Sequence, residues 1–454
     1  MKMEVEVISK ECIKPSSPTP PNLKTYKLSL LDQVHSSIYI PVILFYPMNE
    51  STSHSLNVAD IISQRSQLLK QSLSENLTRF YPLAGKVKDE LTIDCNDEGV
   101  FYLEGYSNCH LIDCIREPDV VSLQQLFPQE MTFQDPVEGD YVALIKVTSF
   151  ACGGFAIGVL VCHMVADGTG FSAFLNGWAA IARKASEHVY PNFDAPSIFP
   201  QNDAFSKEAA MTTFAKAYKA GRCVIRRVVF DGSAVASLKA KATSSSVPNP
   251  TRVEVVSALL WKSIMTALKA TSGVQKPNYL THSVNFRRRA DPQFADSSMG
   301  NLFWGAGALC TAEETDLAYM VSKLREAIGK VNADFVKSLQ GEGGFSNLCE
   351  VMKATTEELS SIESSFGMNF IAVTSWCNFG IYDIDFGWGK PMWISSVGSN
   401  GDTESVFPTS LILMDTRSGD GVEAWVTLNK EEMNMLAQDK ELLAFASLDP
   451  SPLK

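Results

Sequence analysis

Alternation of apolar and polar positions predicts extended segments over residues 91–95 (LTIDC), 99–106 (GVFYLEGY) and 141–150 (YVALIKVTSF), because successive strand side chains point to opposite faces. Ahead of them, Leu69, Leu73, Leu77 and Phe80 recur at helical spacing, and Pro82 and Gly85 end that helix. Helical patterns return at 171–184, 232–243 and 253–270. Strand patterns return at 223–230, 280–286, 370–376, 409–416 and 421–428. In the first of these, Val224, Arg226 and Val228 take one face, and Ile225, Arg227 and Val229 the other. The stretch 190–202, YPNFDAPSIFPQN, follows neither period and reads as a crossover. Strands and helices interleave in both halves without regular βαβ spacing, which predicts two α/β domains. The expected division is a first domain over 1–200, a crossover over 201–222 and a second domain over 223–454.

The most apolar stretch is 147–166, twenty residues without Asp, Glu, Lys or Arg. That is long enough to cross a bilayer. Gly153-Gly154, two cysteines and a histidine interrupt it, so it reads as two strands joined by a glycine-containing turn. The second strand, FAIGVLVC, delivers His163. Asp167-Gly168 then form a turn, and a helix begins with Thr169 or Ser172 near its cap.

The 454 residues exceed what one ordinary core holds. A composition of 45% hydrophobic and 20% charged residues is that of a globular protein. The net charge of −12 argues against a nucleic-acid partner, which needs a basic field. Ten cysteines are scattered without a CxxC pair, and MKMEVEV carries two Glu where a leader would be apolar. Free thiols in a cytoplasmic protein are expected, with no membrane partner. No metal-ligand spacing occurs, since His163 and Asp167 lack a third ligand, so no metal is expected.

At the end of a rigid strand, a neutral imidazole at His163 can accept a proton near neutral pH. Strand alternation turns Cys162 the other way, which weakens it as a nucleophile, and no GxSxG occurs. Read locally, a lone histidine is equally a packing residue, and Asp-Gly equally a plain turn. A second landmark is DFGWG, Asp385, Phe386, Gly387, Trp388 and Gly389, which reads as a structural turn of two glycines, an aromatic plug and a tying carboxylate.

Together, HMVADG at 163–168 and DFGWG at 385–389 resemble the two signatures of the BAHD acyltransferases, plant enzymes that move acyl groups from coenzyme A to alcohols or amines. YKLSLLDQ at 26–33, FYPLAG at 80–85, VNFRRR at 284–289, MGNLFW at 299–304 and TSW at 374–376 extend the resemblance over essentially the whole chain. PSSPTP and MDTRSGDGVEAW resemble the family's alkaloid acetyltransferases, whereas SVPNPTRV and GNLFW resemble its alcohol acetyltransferases.

The resemblance implies an α/β fold of two chloramphenicol-acetyltransferase-like domains with a solvent channel between them. His163 would lie in that channel as general base. Acyl-CoA, preferably acetyl-CoA, would enter from one face as co-substrate, and a small hydroxylated acceptor from the other. No permanently bound cofactor and a monomer are expected. The resemblance pairs Asp167 with an arginine, Arg287 by the VNFRRR match, as structural support together with Gly168. Read locally, Arg287–Arg289 is equally a solvated charge run. Trp376, with Thr374 beside it, is placed by the resemblance near a developing oxyanion, and is otherwise core on a buried strand. DFGWG would lie away from the chemistry.

The expected activity is acetyl transfer to a hydroxyl of a plant specialised metabolite, an alkaloid alcohol before a volatile or aromatic one. Transfer to nitrogen, thioester hydrolysis and a non-catalytic binding role are the alternatives.

Overall fold

The alternating segments pair into two large sheets, one for each domain of an α/β fold. In a computed structural model of the chain, residues 3–35, 37–48, 57–129, 135–206, 217–311, 316–396 and 404–453 are described. The first half supplies β1 (Glu6–Ile13), β2 (Thr25–Lys27), β3 (Tyr39–Tyr46), β4 (Lys86–Val87), β5 (Thr92–Asp94), β6 (Val100–Ser107), β7 (Ala143–Phe150) and β8 (Phe155–Cys162). The second half supplies β9 (Tyr218–Phe230), β10 (Asn278–Asn285), β11 (Phe303–Cys310), β12 (Asn369–Ser375), β13 (Trp393–Ser395), β14 (Glu404–Pro408), β15 (Ser410–Asp415), β16 (Val422–Asn429) and β17 (Ser447–Leu448).

The first sheet runs β1-β6-β7-β8-β3-β13. Every residue of β7 and β8 is buried, which explains the continuous apolar run, since a strand covered on both faces has no solvent side to mark with polar residues. One cover is the helix Val58–Arg79 against the helix Gly168–Ala182, joined where Trp178 Nε1 donates to the Leu69 carbonyl at 3.0 Å and Asn76 Nδ2 to that of Phe174 at 3.1 Å. The 147–166 stretch is thus two strands, and no helix of the described residues is long and apolar enough to cross a membrane.

The second sheet runs β11-β10-β12-β15-β16-β9-β14, with β17 also on β9. β10, β12 and β15 are mutually parallel and the other pairings antiparallel. The helix Arg252–Ser272 packs its apolar face into this half's core. Thr251 and Glu254 close its first turn as a reciprocal capping box, and Gly273, at φ 68°, ends it in the left-handed conformation glycine tolerates.

The two halves are not cleanly divided in sequence. After DFGWG the chain crosses to the first sheet, where β13 pairs with β3, Trp393 opposite Phe45. β9 begins at Tyr218, inside the stretch expected to be crossover, 201–222, of which residues 207–216 lie outside the described residues. The segment 190–202 has little regular structure, yet its ends are bonded. Met299 N donates to the Asn192 carbonyl at 2.7 Å and Leu30 N to that of Phe199 at 2.8 Å.

Two local expectations need correction. The helix expected over 171–184 starts three residues earlier, at Gly168, and its cap is Asp167, whose carboxylate accepts from Gly170 N at 2.9 Å, instead of Thr169 or Ser172. Cys109 and Cys114, expected as free thiols, are joined in a disulfide across the short helix Leu111–Arg116.

Candidate active site

His163 is the first residue past β8. Its N–H donates to the Ile38 carbonyl at 3.0 Å, next to the pairing of Tyr39 with Cys162, so β3 fixes the backbone that carries the imidazole. Cys162 is buried on the opposite side, its thiol on the Ser37 carbonyl at 3.3 Å. The His163 ring is half-buried and lies 6.0 Å from the ring of Phe303. Nδ1 is sealed from solvent, which leaves Nε2 as the ring nitrogen open to the adjacent cavity. Burial holds the imidazole below the ordinary histidine range, and Asp167 offsets part of that effect.

The cavity has a volume of about 310 Å³ and lies between the end of β3 and one face of the second sheet. Three strands line it: Thr281, Ser283 and Asn285, alternate residues of β10, with residues 372–375 of β12 and 410–412 of β15. A second, more polar cavity of about 470 Å³ is lined by Ser172, Asn176, Ser297 and Arg288. Thr169, Asn285, Ser375 and Phe379 line both, so the two adjoin along these residues; His163 lines the first.

Asp167 borders the cavity but its carboxylate is committed elsewhere. Arg287 donates to it twice, Nη1 to Oδ2 at 2.7 Å and Nη2 to Oδ1 at 3.0 Å, and Leu302 N adds a bond at 3.1 Å. Arg287 is fully buried and also donates to the Ser298 carbonyl at 2.6 Å. Its neighbour Arg288 is exposed, so the arginine run is split between core and surface.

Gly168 has a steric reason. A Cβ there would stand 2.8 Å from Phe379 Cε2 and 3.0 Å from Trp376 Nε1. The indole of Trp376 thus lies against the start of the helix, at the wall it shares with Thr374 and His163. Trp376 is buried and also part of the core.

The five residues of DFGWG border neither cavity. Asp385 Oδ1 accepts from Gly387 N at 2.7 Å and Gly389 N at 2.9 Å, and both glycines sit at positive φ, 107° and 109°. Phe386 is fully buried, edge-on to Trp178 at 4.9 Å and stacked on Trp388 at 5.7 Å.

Asn301 is the site residue that reasoning from motif chemistry passes over. Its Nδ2 donates to the His163 carbonyl at 2.6 Å and to Asp32 Oδ1 at 2.9 Å. Both residues lie in stretches quoted above, YKLSLLDQ and MGNLFW, where nothing distinguishes a buried asparagine from a turn residue.

The sequence model of the Transferase family matches residues 3–443. The chain is 49% identical to an epi-neemfruitin B 7-O-acetyltransferase of Melia azedarach, over 99% of this chain and 100% of that protein. It is 48% identical to a limonoid 7-O-acetyltransferase of Citrus sinensis, with the same coverage. The crystal structure of vinorine synthase superposes with a TM-score of 0.80 at 35% identity, covering 99% of this chain and 100% of that one.

Proposed function

This chain belongs to the Transferase family, the BAHD acyltransferases, and from that premise we propose that it moves an acetyl group from acetyl-CoA to a hydroxyl of a limonoid, with His163 as general base. The observation that carries the chemistry is the His163 ring in the wall of the first cavity, which adjoins the second along Thr169, Asn285, Ser375 and Phe379, so that a nucleophile in the one and a thioester reaching through from the other meet at the imidazole. The polar cavity with Arg288, Asn176 and Ser172 is the approach of acyl-CoA; the more apolar one takes the acceptor.

Neutral His163 takes the acceptor's hydroxyl proton as the oxygen attacks the thioester carbonyl. The tetrahedral intermediate collapses as the C–S bond breaks, and the imidazolium returns the proton to sulfur. A thiol with a pKa of about 8.5 leaves readily, so no acyl-enzyme is needed. Among the donors lining the cavity, we assign the Thr374 hydroxyl and the Trp376 indole N–H to the oxyanion.

Charge selects among acceptors. Among the described residues lining the acceptor cavity, the ionisable side chains are His163, Asp167, Tyr39 and Tyr218. Arg287 occupies Asp167, and burial raises both tyrosines, which stay neutral. A protonated amine finds no carboxylate there, which favours a neutral terpenoid over an alkaloid alcohol. The alkaloid reading keeps the support of PSSPTP, MDTRSGDGVEAW and the similarity to vinorine synthase.

Incubation with acetyl-CoA and a panel of limonoid and alkaloid alcohols, read by mass spectrometry, tests the proposal. Acetylated limonoid in the wild type and a loss of about 10²-fold or more in His163→Ala are expected. Acetylation of alkaloid alcohols alone overturns the acceptor class. CoA release without any acylated product points to hydrolysis, and no turnover of any kind to a binding protein.

A further inference from the structure

The acceptor cavity, about 310 Å³, lies at the small end of pockets that enclose a drug-sized ligand, roughly 300–1,000 Å³. A polycyclic terpenoid fills it and has to extend past its edge. We propose that Gly305 is the residue that admits the ring body of such an acceptor, and that the hydroxyls of Ser283 and Thr281 beside it bind the acceptor's oxygen substituents. The inference rests on the reading of the acceptor as a limonoid.

Strand register puts Gly305 on the cavity face. β10 and β11 pair without a bulge, Asn285 opposite Phe303, Ser283 opposite Gly305 and Thr281 opposite Gly307. Opposed residues share a face of the sheet, and Asn285, Ser283, Thr281 and Phe303 all line the cavity. β11 is also the last strand on its side of the second sheet, so this face runs out to the sheet edge.

The fold gives no reason of its own for a glycine at this position. Gly305 does not have positive φ, so its backbone suits any residue. It is exposed, and among the described residues a Cβ there would meet only Thr281 Cβ, at 3.9 Å. Gly307, two residues on, is the contrast. A Cβ there would strike Tyr279 Oη, because the tyrosine lies over that glycine and sets its ring edge-on to Phe370 at 6.1 Å. Packing explains Gly307; at Gly305, in a regular strand, a closely approaching ligand does. The result is a bare floor between the Phe303 ring and the Tyr279 ring. Phe303 and Gly307 stand about 13 Å apart along the strand, room for the edge of a fused ring system.

The polar groups beside this floor suit an oxygenated acceptor. Thr281 and Ser283 are partly exposed and about 7 Å apart on β10, and their hydroxyls have no hydrogen-bond partner among the described residues. Their neighbour Asn285 is committed, Nδ2 donating to Thr169 Oγ1 at 3.0 Å and Oδ1 accepting from Arg287 N at 2.9 Å. A hydroxyl both donates and accepts, so the pair matches ketone, ether or hydroxyl oxygens without calling for charge. A hydrocarbon alcohol leaves both unmatched, which a site built for hydrogen bonding penalises.

The test is steady-state transfer from acetyl-CoA to a 7-hydroxylimonoid by wild type, Gly305→Leu, Gly305→Ala, Ser283→Ala and Ser283→Thr. Gly305→Leu is expected to raise KM for the limonoid by about 10-fold or more, the scale of overpacking a filled site. Gly305→Ala moves it less, in the same direction. Ser283→Ala raises it about 3–10-fold, the usual worth of a neutral hydrogen bond, and Ser283→Thr restores it. KM for acetyl-CoA stays within about twofold throughout, a split that a merely structural role of these residues would not produce. The alanine variant at Gly305 and the Ser283 pair keep the reading if the leucine variant fails to fold. A limonoid KM that ignores both positions, or that rises together with KM for acetyl-CoA, overturns the inference. Absence of limonoid acetylation by the wild type rejects the acceptor class and this inference with it, whereas indifference to Gly305 in an enzyme that acetylates limonoids rejects this inference alone.

Discussion

Arg287 grips Asp167 through two parallel bonds of 2.7 and 3.0 Å, with the guanidinium wholly out of solvent. The pair joins the segment after β8 to the loop after β10. Asp167→Asn leaves the cation buried and unmatched, a change that typically costs about 3–5 kcal/mol. Urea denaturation is expected to show that loss, and activity to fall with it. A variant as stable and active as wild type removes the structural role. His163→Ala, which breaks no ion pair, is expected to keep its denaturation midpoint.

Acid stability follows from the histidines. Burial pushes His35 down to about 3, against about 6.5 when unfolded. Between those values the unfolded chain binds the extra proton, so stability is present above pH 6.5 and is lost as pH falls. At pH 5 the loss from His35 alone is ~2 kcal/mol. His163 and His282, also lowered by burial, act in the same sense. His35→Phe keeps an aromatic ring on Phe303, to which His35 stacks at 3.9 Å, and is expected to flatten the acid limb of the melting temperature. An unchanged limb contradicts this assignment.

The same burial sets the pH range of activity. The base works as neutral imidazole, and its depressed proton affinity keeps it neutral below the ordinary histidine range. The acid limb of kcat/KM is expected below pH ~6.5, with activity retained from there upward. A limb centred above that value assigns the titration to another group.

The strands that alternate cleanly were legible, as were the apolar pair β7 and β8 and the helix that follows them. β3 was not: every residue of YIPVILFY but Pro41 is buried, so no polar period marks it. β1 shows the opposite fault, with seven residues at least partly exposed on an edge strand. β13 is three residues long and takes its meaning from β3, some 350 positions earlier, a pairing that no local pattern encodes. Of the site, His163, Asp167 and Arg287 could be named from motifs. Asn301 depends on a bond to a main-chain carbonyl 138 residues away, for which the sequence carries no periodic signal.

DFGWG is expected to affect stability more than chemistry. Asp385→Ala frees the Gly387 and Gly389 N–H groups and loosens the turn that leads into β13. Two lost bonds to a charged acceptor cost about 1–3 kcal/mol. Thermal unfolding is expected to move down, while kcat and KM of the folded protein stay within about twofold of wild type. A large kcat loss in a stable variant places this loop closer to the reaction than its distance from both cavities allows.

Gly168→Ala is the most local probe of the wall that carries Trp376. The added methyl would stand 2.8 Å from the Phe379 ring and 3.0 Å from Trp376 Nε1, so the indole or the helix start must move. Asp167 immediately precedes, held by Arg287, so the helix start is the less mobile partner and the indole yields. Overpacking of this kind costs about 1–3 kcal/mol of stability. If Trp376 donates to the developing oxyanion, kcat also falls by about 10-fold or more, with little change in KM for acetyl-CoA, because the donor matters only once charge develops. Trp376→Phe keeps the packing and removes the N–H, and separates the two effects. A similar kcat loss in both variants marks the indole as donor. Loss in Gly168→Ala alone means that the ring acts by shape, and leaves Thr374 as the hydroxyl on that wall.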